Sequence, residues 1–138
     1  MRETKNLTLK TTEDNINVIN EAIHSMLPPD CDELLLNQID LAVEEIFVNI
    51  MHYSGAAEAD VDCSYDKEGD GGVLEVIFSD NGTPFNPLAK PDPDITLSAE
   101  EREIGGLGIF LTKKFMNKVE YEYIEGKNKL KIQKKLPG

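Results

Sequence analysis

Two segments of this chain read strand, turn, strand, and they limit its architecture more than any other feature. Residues 59–65 and 73–79 flank KEGDGG (67–72), and VEYEYI (119–124) and KLKIQKKL (129–136) flank Glu125-Gly126-Lys127-Asn128. Runs rich in β-branched and aromatic residues, joined through glycine turns, are hairpin signals. Parallel neighbours need long crossovers that a hairpin cannot supply. Two hairpins therefore predict a mainly antiparallel sheet, with a mixed pairing left open.

Helical patterns precede and separate the hairpins. TKNLTLK (4–10) alternates weakly and predicts an edge strand. After Thr11-Thr12-Glu13-Asp14, the residues Ile16, Ile19, Ala22, Ile23 and Met26 recur at helical spacing until Pro28-Pro29. Asp30 or Asp32 can cap a second helix. Its apolar positions Leu35, Ile39, Ala42, Val43, Ile46 and Ile50 predict a helix to about Tyr53, ended by Gly55. A third helix is predicted over 109–118, after Gly105-Gly106-Leu107-Gly108. The order is strand, helix, helix, hairpin, long loop, helix, hairpin. That order predicts an α+β two-layer sandwich, with three helices on one face of the sheet.

Length and charge narrow the function. The 138 residues are the size of one ordinary domain. No run approaches the roughly 18 apolar residues of a membrane span, and MRETKNLTLK lacks the apolar centre of a secretion signal. A cytoplasmic protein is expected. Cys31 and Cys63 form no metal-ligand spacing; a disulfide is open, and reduced thiols are the plainer reading. The net charge of -12 argues against nucleic acid as a direct ligand. Residues 112–138 carry +5 and residues 1–111 carry -17, so the acidic part can face a basic protein surface or serve solubility alone.

Four short motifs carry chemistry. Glu45 and Asn49 stand four apart and share a helix face, with His52 close to it. A carboxamide oxygen can ligate Mg²⁺, and a carboxylate can deprotonate an attacking hydroxyl. Alone, the pair is an ordinary polar helix edge. Asp80 ends an apolar run and opens DNGTPFNP (80–87). It can accept from an exocyclic amine, with Gly82 admitting a base close to the backbone. Alone, Asp-Asn-Gly is a common turn. Gly105, Gly106 and Gly108 place backbone N–H groups at a helix start, where phosphates bind; the plain reading is a hinge. No G-x-x-x-x-G-K-[ST] or βαβ fingerprint is present. Arg102 can reach a terminal phosphate or lie in solvent. Residues 81–104 hold four prolines and many acids, a loop long enough to be a functional lid.

The order of these parts is more specific than any one of them. LAVEEIFVNIMHYSG (41–55), FSDNGTPFNPL (78–88) and EREIGGLGIFLTKKFMNKVEY (101–121) resemble the GHKL ATPase and kinase superfamily. Within it, the chain looks most like the small bacterial anti-sigma-factor serine/threonine kinases. The resemblance spans nearly the whole chain. It implies a single histidine-kinase-like ATPase domain over 1–138 with its lid at about 81–104. It further implies Glu45, rather than Glu44, as general base, and Asn49 as the Mg²⁺ ligand. Asp80 and Gly82 would bind adenine, and Gly105, Gly106, Leu107 and Gly108 would contact phosphates. ATP and Mg²⁺ are the implied cofactors. A sigma factor and a small antagonist protein phosphorylated on serine are the implied partners. The short N-terminal strand leaves an edge that a second copy can cover, and the resemblance points to a homodimer as well. A module that sequesters a partner without phosphoryl transfer is the alternative, and simple ATP hydrolysis a more distant one. The chain departs from the pattern in two places. Its lid is short and proline-bearing, and NKLKIQ (128–133) lacks the threonine that several members place near adenine. The histidine-bearing phosphoacceptor domain of sensor kinases does not fit within 138 residues.

Overall fold

A computed structural model describes residues 2–89 and 106–137. Strand β1 (Arg2–Lys10) is followed by helices α1 (Asn15–Met26) and α2 (Glu33–Asn49) and by a π-helical turn (Ile50–Ser54). Strands β2 (Glu58–Glu68) and β3 (Gly71–Asp80) form the first hairpin. Helix α3 (Gly106–Phe115) leads to the second, β4 (Lys118–Ile124) and β5 (Lys127–Leu136). The strands lie in the order β1-β2-β3-β5-β4. Each pairing is antiparallel, and no parallel pair occurs among the described residues. The fold is α+β, and the predicted edge strand is an edge strand.

Strand alternation explains how the layers meet. Val61, Cys63 and Tyr65 of β2, Leu74, Val76 and Phe78 of β3, and Leu130 and Ile132 of β5 are buried in one core. They pack with Ile16, Ile19 and Ile23 of α1 and with Ile39, Val43 and Ile46 of α2. The intervening residues point away: Asp62 is exposed and Glu75 and Lys131 are half-buried. Asp32 rather than Asp30 caps α2, its carboxylate accepting the Leu34 N–H at 3.0 Å.

Several boundaries differ from the sequence reading. Helix α3 is Gly106–Phe115 rather than 109–118, since Gly106–Gly108 already lie in it and Lys118 begins β4. The β2–β3 turn is shorter than KEGDGG, because pairing runs on to Glu68↔Gly71 and only Gly69 and Asp70 turn the chain. Asn128 lies in β5, not in the turn, because Tyr123 pairs with it and Glu125-Gly126 turn the chain, both at positive φ. Helix α2 changes at Asn49 into a wider turn, closed by the Gly55 N–H on the Ile50 carbonyl at 3.3 Å with Gly55 at φ 69°. Such five-residue bonds are rare, and many occur at functional sites.

Candidate nucleotide and phosphoryl-transfer site

The wide turn after α2 presents Ser54 to the loop that leaves β3. The Thr83 N–H donates to the Ser54 carbonyl at 2.8 Å. A β-carbon on Gly82 would collide with that carbonyl and would lie 2.8 Å from Ser54 Oγ. Only glycine permits this approach. The end of α2 and the start of the DNGTPFNP loop are therefore held together by backbone contact.

At the end of β3, Asp80 is buried at 5% exposure. Its Oδ1 accepts the Gly82 N–H at 2.9 Å and the Asn128 amide at 3.1 Å. The first bond is the plain Asx turn that the sequence allowed. The second comes from across the sheet, since Asp80 and Asn128 face each other in the β3–β5 register. Turn chemistry and a buried carboxylate are thus both present at this residue.

Asn49 and Asp80 line one narrow cavity of about 20 Å³. Asn128 and Tyr121 join them, with Ile46, Phe78 and Leu130 as apolar wall and Phe85 closing the loop side. The Phe85 ring stacks on the half-exposed Tyr53 ring, centroids 4.6 Å apart and planes 17° from parallel. The lining, apolar with a buried carboxylate, has the chemistry for the edge of a heteroaromatic ring bearing a donor. The volume is that of about one water, so a ring enters only if Phe85 and its loop move outward.

Asn49 is buried, and among the described residues its amide nitrogen has no hydrogen-bond partner. An unpaired buried donor of this kind costs stability unless a ligand or water completes it. Glu45, one helical turn earlier, is half-buried against α3. A β-carbon on Gly108 would fall within its carboxyl group, 2.6 Å from Oε1. Burial raises the Glu45 pKa above its ordinary 4.5, and the neighbouring Glu44 charge raises it further. The Asn49 side chain pulls the other way, near enough to favour the carboxylate without closing a hydrogen bond of normal geometry. His52 is exposed, its ring edge-on to Tyr53, and does not line the cavity.

Gly106 and Leu107 fall in the first turn of α3 with Gly108. Arg102 and Gly105, with most of the expected lid, lie outside the described residues. Sequence reasoning missed Asn128, Tyr121 and Phe85. Asn128 stood in the segment noted for lacking a threonine, and only the strand register reveals what it faces.

Comparison with known proteins agrees with this architecture. The family model for the histidine kinase-like ATPase domain matches residues 9–134. The serine-protein kinase RsbW of Listeria monocytogenes is 32% identical over 95 residues, covering 66% of this chain and 60% of that protein. Its namesake from Listeria innocua is 30% identical over the same extent. The chain therefore spans about 60% of the length of these curated relatives. The crystal structure of the RsbU and RsbW domains of a Mycobacterium tuberculosis protein matches with a TM-score of 0.62 at 12% identity. That match covers 97% of this chain and 32% of the other, and it speaks for the fold.

Proposed function

The chain belongs to the histidine kinase-like ATPase domain family, and from that premise we propose that it is an ATP-dependent serine/threonine protein kinase of the anti-sigma-factor type. One observation carries the reading: the unpaired Asn49 amide and the buried Asp80 carboxylate face a single apolar cavity, with Glu45 one helical turn away. The relatives' name, serine-protein kinase RsbW, points to the same reaction.

In this reading Asp80 accepts from the adenine amine, and Gly82 lets the base approach the backbone. Asn49 offers its amide oxygen to Mg²⁺, a hard cation that takes few protein ligands beside phosphate oxygens and water. In that role the ion would rest on the Asn49 oxygen and on its ligand, while the unpaired Asn49 nitrogen, a donor, would meet an acceptor such as a phosphate oxygen or water. Bound Mg²⁺ would supply charge neutralisation at the phosphates. Glu45 takes the proton from the substrate serine as its oxygen becomes a nucleophile. Its raised pKa brings it nearer to working pH, which suits a general base. Gly105, Gly106, Leu107 and Gly108 bring backbone N–H groups to the phosphates, and Arg102 reaches the terminal one.

The substrate is a small antagonist protein carrying the serine, and the competing partner is a sigma factor. Phosphate on the antagonist then meets a surface of net charge -12 and is repelled. The protein acts in the cytoplasm as a homodimer. Among the described residues strand β1 pairs on one side only, with β2, and offers its other edge to a second copy. Among the described residues, no helix is long and apolar enough to cross a membrane.

The deciding experiment incubates the protein with γ-labelled ATP, Mg²⁺ and a candidate antagonist. Label on the antagonist serine, lost in Glu45→Ala, supports the kinase. Nucleotide bound with no label transferred to any cognate partner supports a sequestering module instead.

A further inference from the structure

Asn128 uses its whole hydrogen-bonding capacity. Its amide nitrogen donates to Asp80 Oδ1 at 3.1 Å and to the Thr83 carbonyl at 3.0 Å. Its oxygen accepts the Phe85 N–H at 3.0 Å and the Tyr121 hydroxyl. The residue is buried at 5% exposure. A carboxamide so placed has one orientation. Reversed, its oxygen would face a carboxylate and a carbonyl, and its NH₂ would face the Phe85 N–H.

The consequence falls on Asp80. Gly82 and Asn128 both bond to Oδ1, so the carboxylate is pinned from two directions. Among the described residues Oδ2 is the oxygen left for a further donor. The same amide ties down Thr83 and Phe85, which begin the loop and close the cavity. One side chain therefore sets both the angle of the carboxylate and the position of the backbone beside it.

We propose that Asn128 is a positioning residue for nucleobase selection: by fixing Asp80 and residues 83–85 together, it makes the site select a purine with an exocyclic amine over one with a carbonyl there. The proposal rests on the reading of this cavity as a nucleotide site. Its physical basis is that a fixed, buried acceptor rejects a base that offers a lone pair in place of a donor. A carboxylate free to rotate would accommodate either base, and the selectivity would fall.

The test titrates the full chain with Mg-ATP and Mg-inosine triphosphate by calorimetry, in the wild type, Asn128→Ala and Tyr121→Phe. The wild type is expected to favour ATP, and Asn128→Ala to lower the ATP-to-inosine ratio of affinities by roughly tenfold or more. Tyr121→Phe, which removes one of the two donors holding the amide, moves the ratio the same way by less. Loss of stability alone would weaken both nucleotides together and leave the ratio intact. A folded Asn128→Ala with the wild-type ratio overturns the proposal; should that variant not fold, an unchanged ratio in Tyr121→Phe overturns it. A wild type that binds both nucleotides equally also overturns it. A wild type that binds neither removes the nucleotide-site reading itself, a result distinguishable from the others.

Discussion

The Glu45 carboxyl group occupies the space that a β-carbon on residue 108 would need. The two residues are far apart in sequence, and α2 and α3 bring them together. Gly108 thus has a steric task besides any contact with phosphate: it lets a half-buried carboxylate rest against the backbone of α3. The Thr112 hydroxyl, bonded to the Gly108 carbonyl at 2.8 Å, sits on the same turn.

Gly108→Ala separates stability from chemistry. The colliding atoms are the far end of a flexible side chain, so Glu45 can swing aside at small cost. Alanine also favours a helix over glycine by roughly 0.5–1 kcal/mol. The melting temperature should therefore change little. Phosphoryl transfer should fall by roughly 10²–10⁴-fold, the usual contribution of a positioned general base. Thermal unfolding and transfer from γ-labelled ATP, measured on one preparation, check both halves.

The raised Glu45 pKa gives two pH signatures. Its folded value lies above 4.5, so the ionised form is disfavoured by folding. That cost is full above the folded pKa and vanishes as pH falls below 4.5. Glu45→Gln should therefore stabilise the protein near neutrality, and the gain should disappear on acidification. Activity moves oppositely, since the base must be ionised: the acid limb of the pH–rate profile should sit above 4.5. Glu44→Gln removes the second cause of the shift and should move that limb to lower pH. A limb at the ordinary carboxylate value would show that burial and Glu44 do not raise this group, and an acid limb that persists unchanged in Glu45→Gln would refute its assignment as base.

Gly82→Ala has no such escape. Its β-carbon would strike the Ser54 carbonyl, which is backbone and held by the Thr83 N–H at 2.8 Å. The loop must shift, breaking that bond and pulling on the Asp80 turn. A loss of about 1–3 kcal/mol is expected, as for other overpacked positions. A fall of several degrees in melting temperature, with weaker ATP binding, would show it. An unchanged melt would mean that the α2–loop clamp is not stabilising.

Periodicity made the helices and strands legible because burial enforces it. Ile39, Val43 and Ile46 were spaced for one helix face, and that face is buried. Asp80 could be singled out because a carboxylate is a poor way to end an apolar strand. Asn128 could not, because its meaning lies in the β3–β5 register, which sets it opposite Asp80, 48 residues away in sequence. The placing of β5 beside β3, with β4 outermost, is invisible to local pattern for the same reason. The π-helical turn lies within the stretch predicted as helix to about Tyr53 and ends at Gly55 as predicted; its wider winding and the approach of Ser54 to Gly82 were not legible. Local chemistry thus specified the elements and most candidate residues, while the partners of those residues depend on tertiary contact.

Asn49 offers the sharpest division between folding and function. Its amide nitrogen is buried and unpaired, a state that costs about 1–3 kcal/mol for a typical polar group. Leucine has a similar shape and no donor. Asn49→Leu should therefore melt at the wild-type temperature or above it when no nucleotide is present. A ligand that binds only the folded state adds about 2.7 kcal/mol at a hundred times its Kd, so Mg-ATP should raise the wild-type melting temperature. The variant should lose most of that rise, and chelating Mg²⁺ should remove it from the wild type while changing the variant little. If Asn49→Leu instead melts well below the wild type without ligand, the amide is paired in solution. Its assignment as an incomplete ligand site would then be wrong.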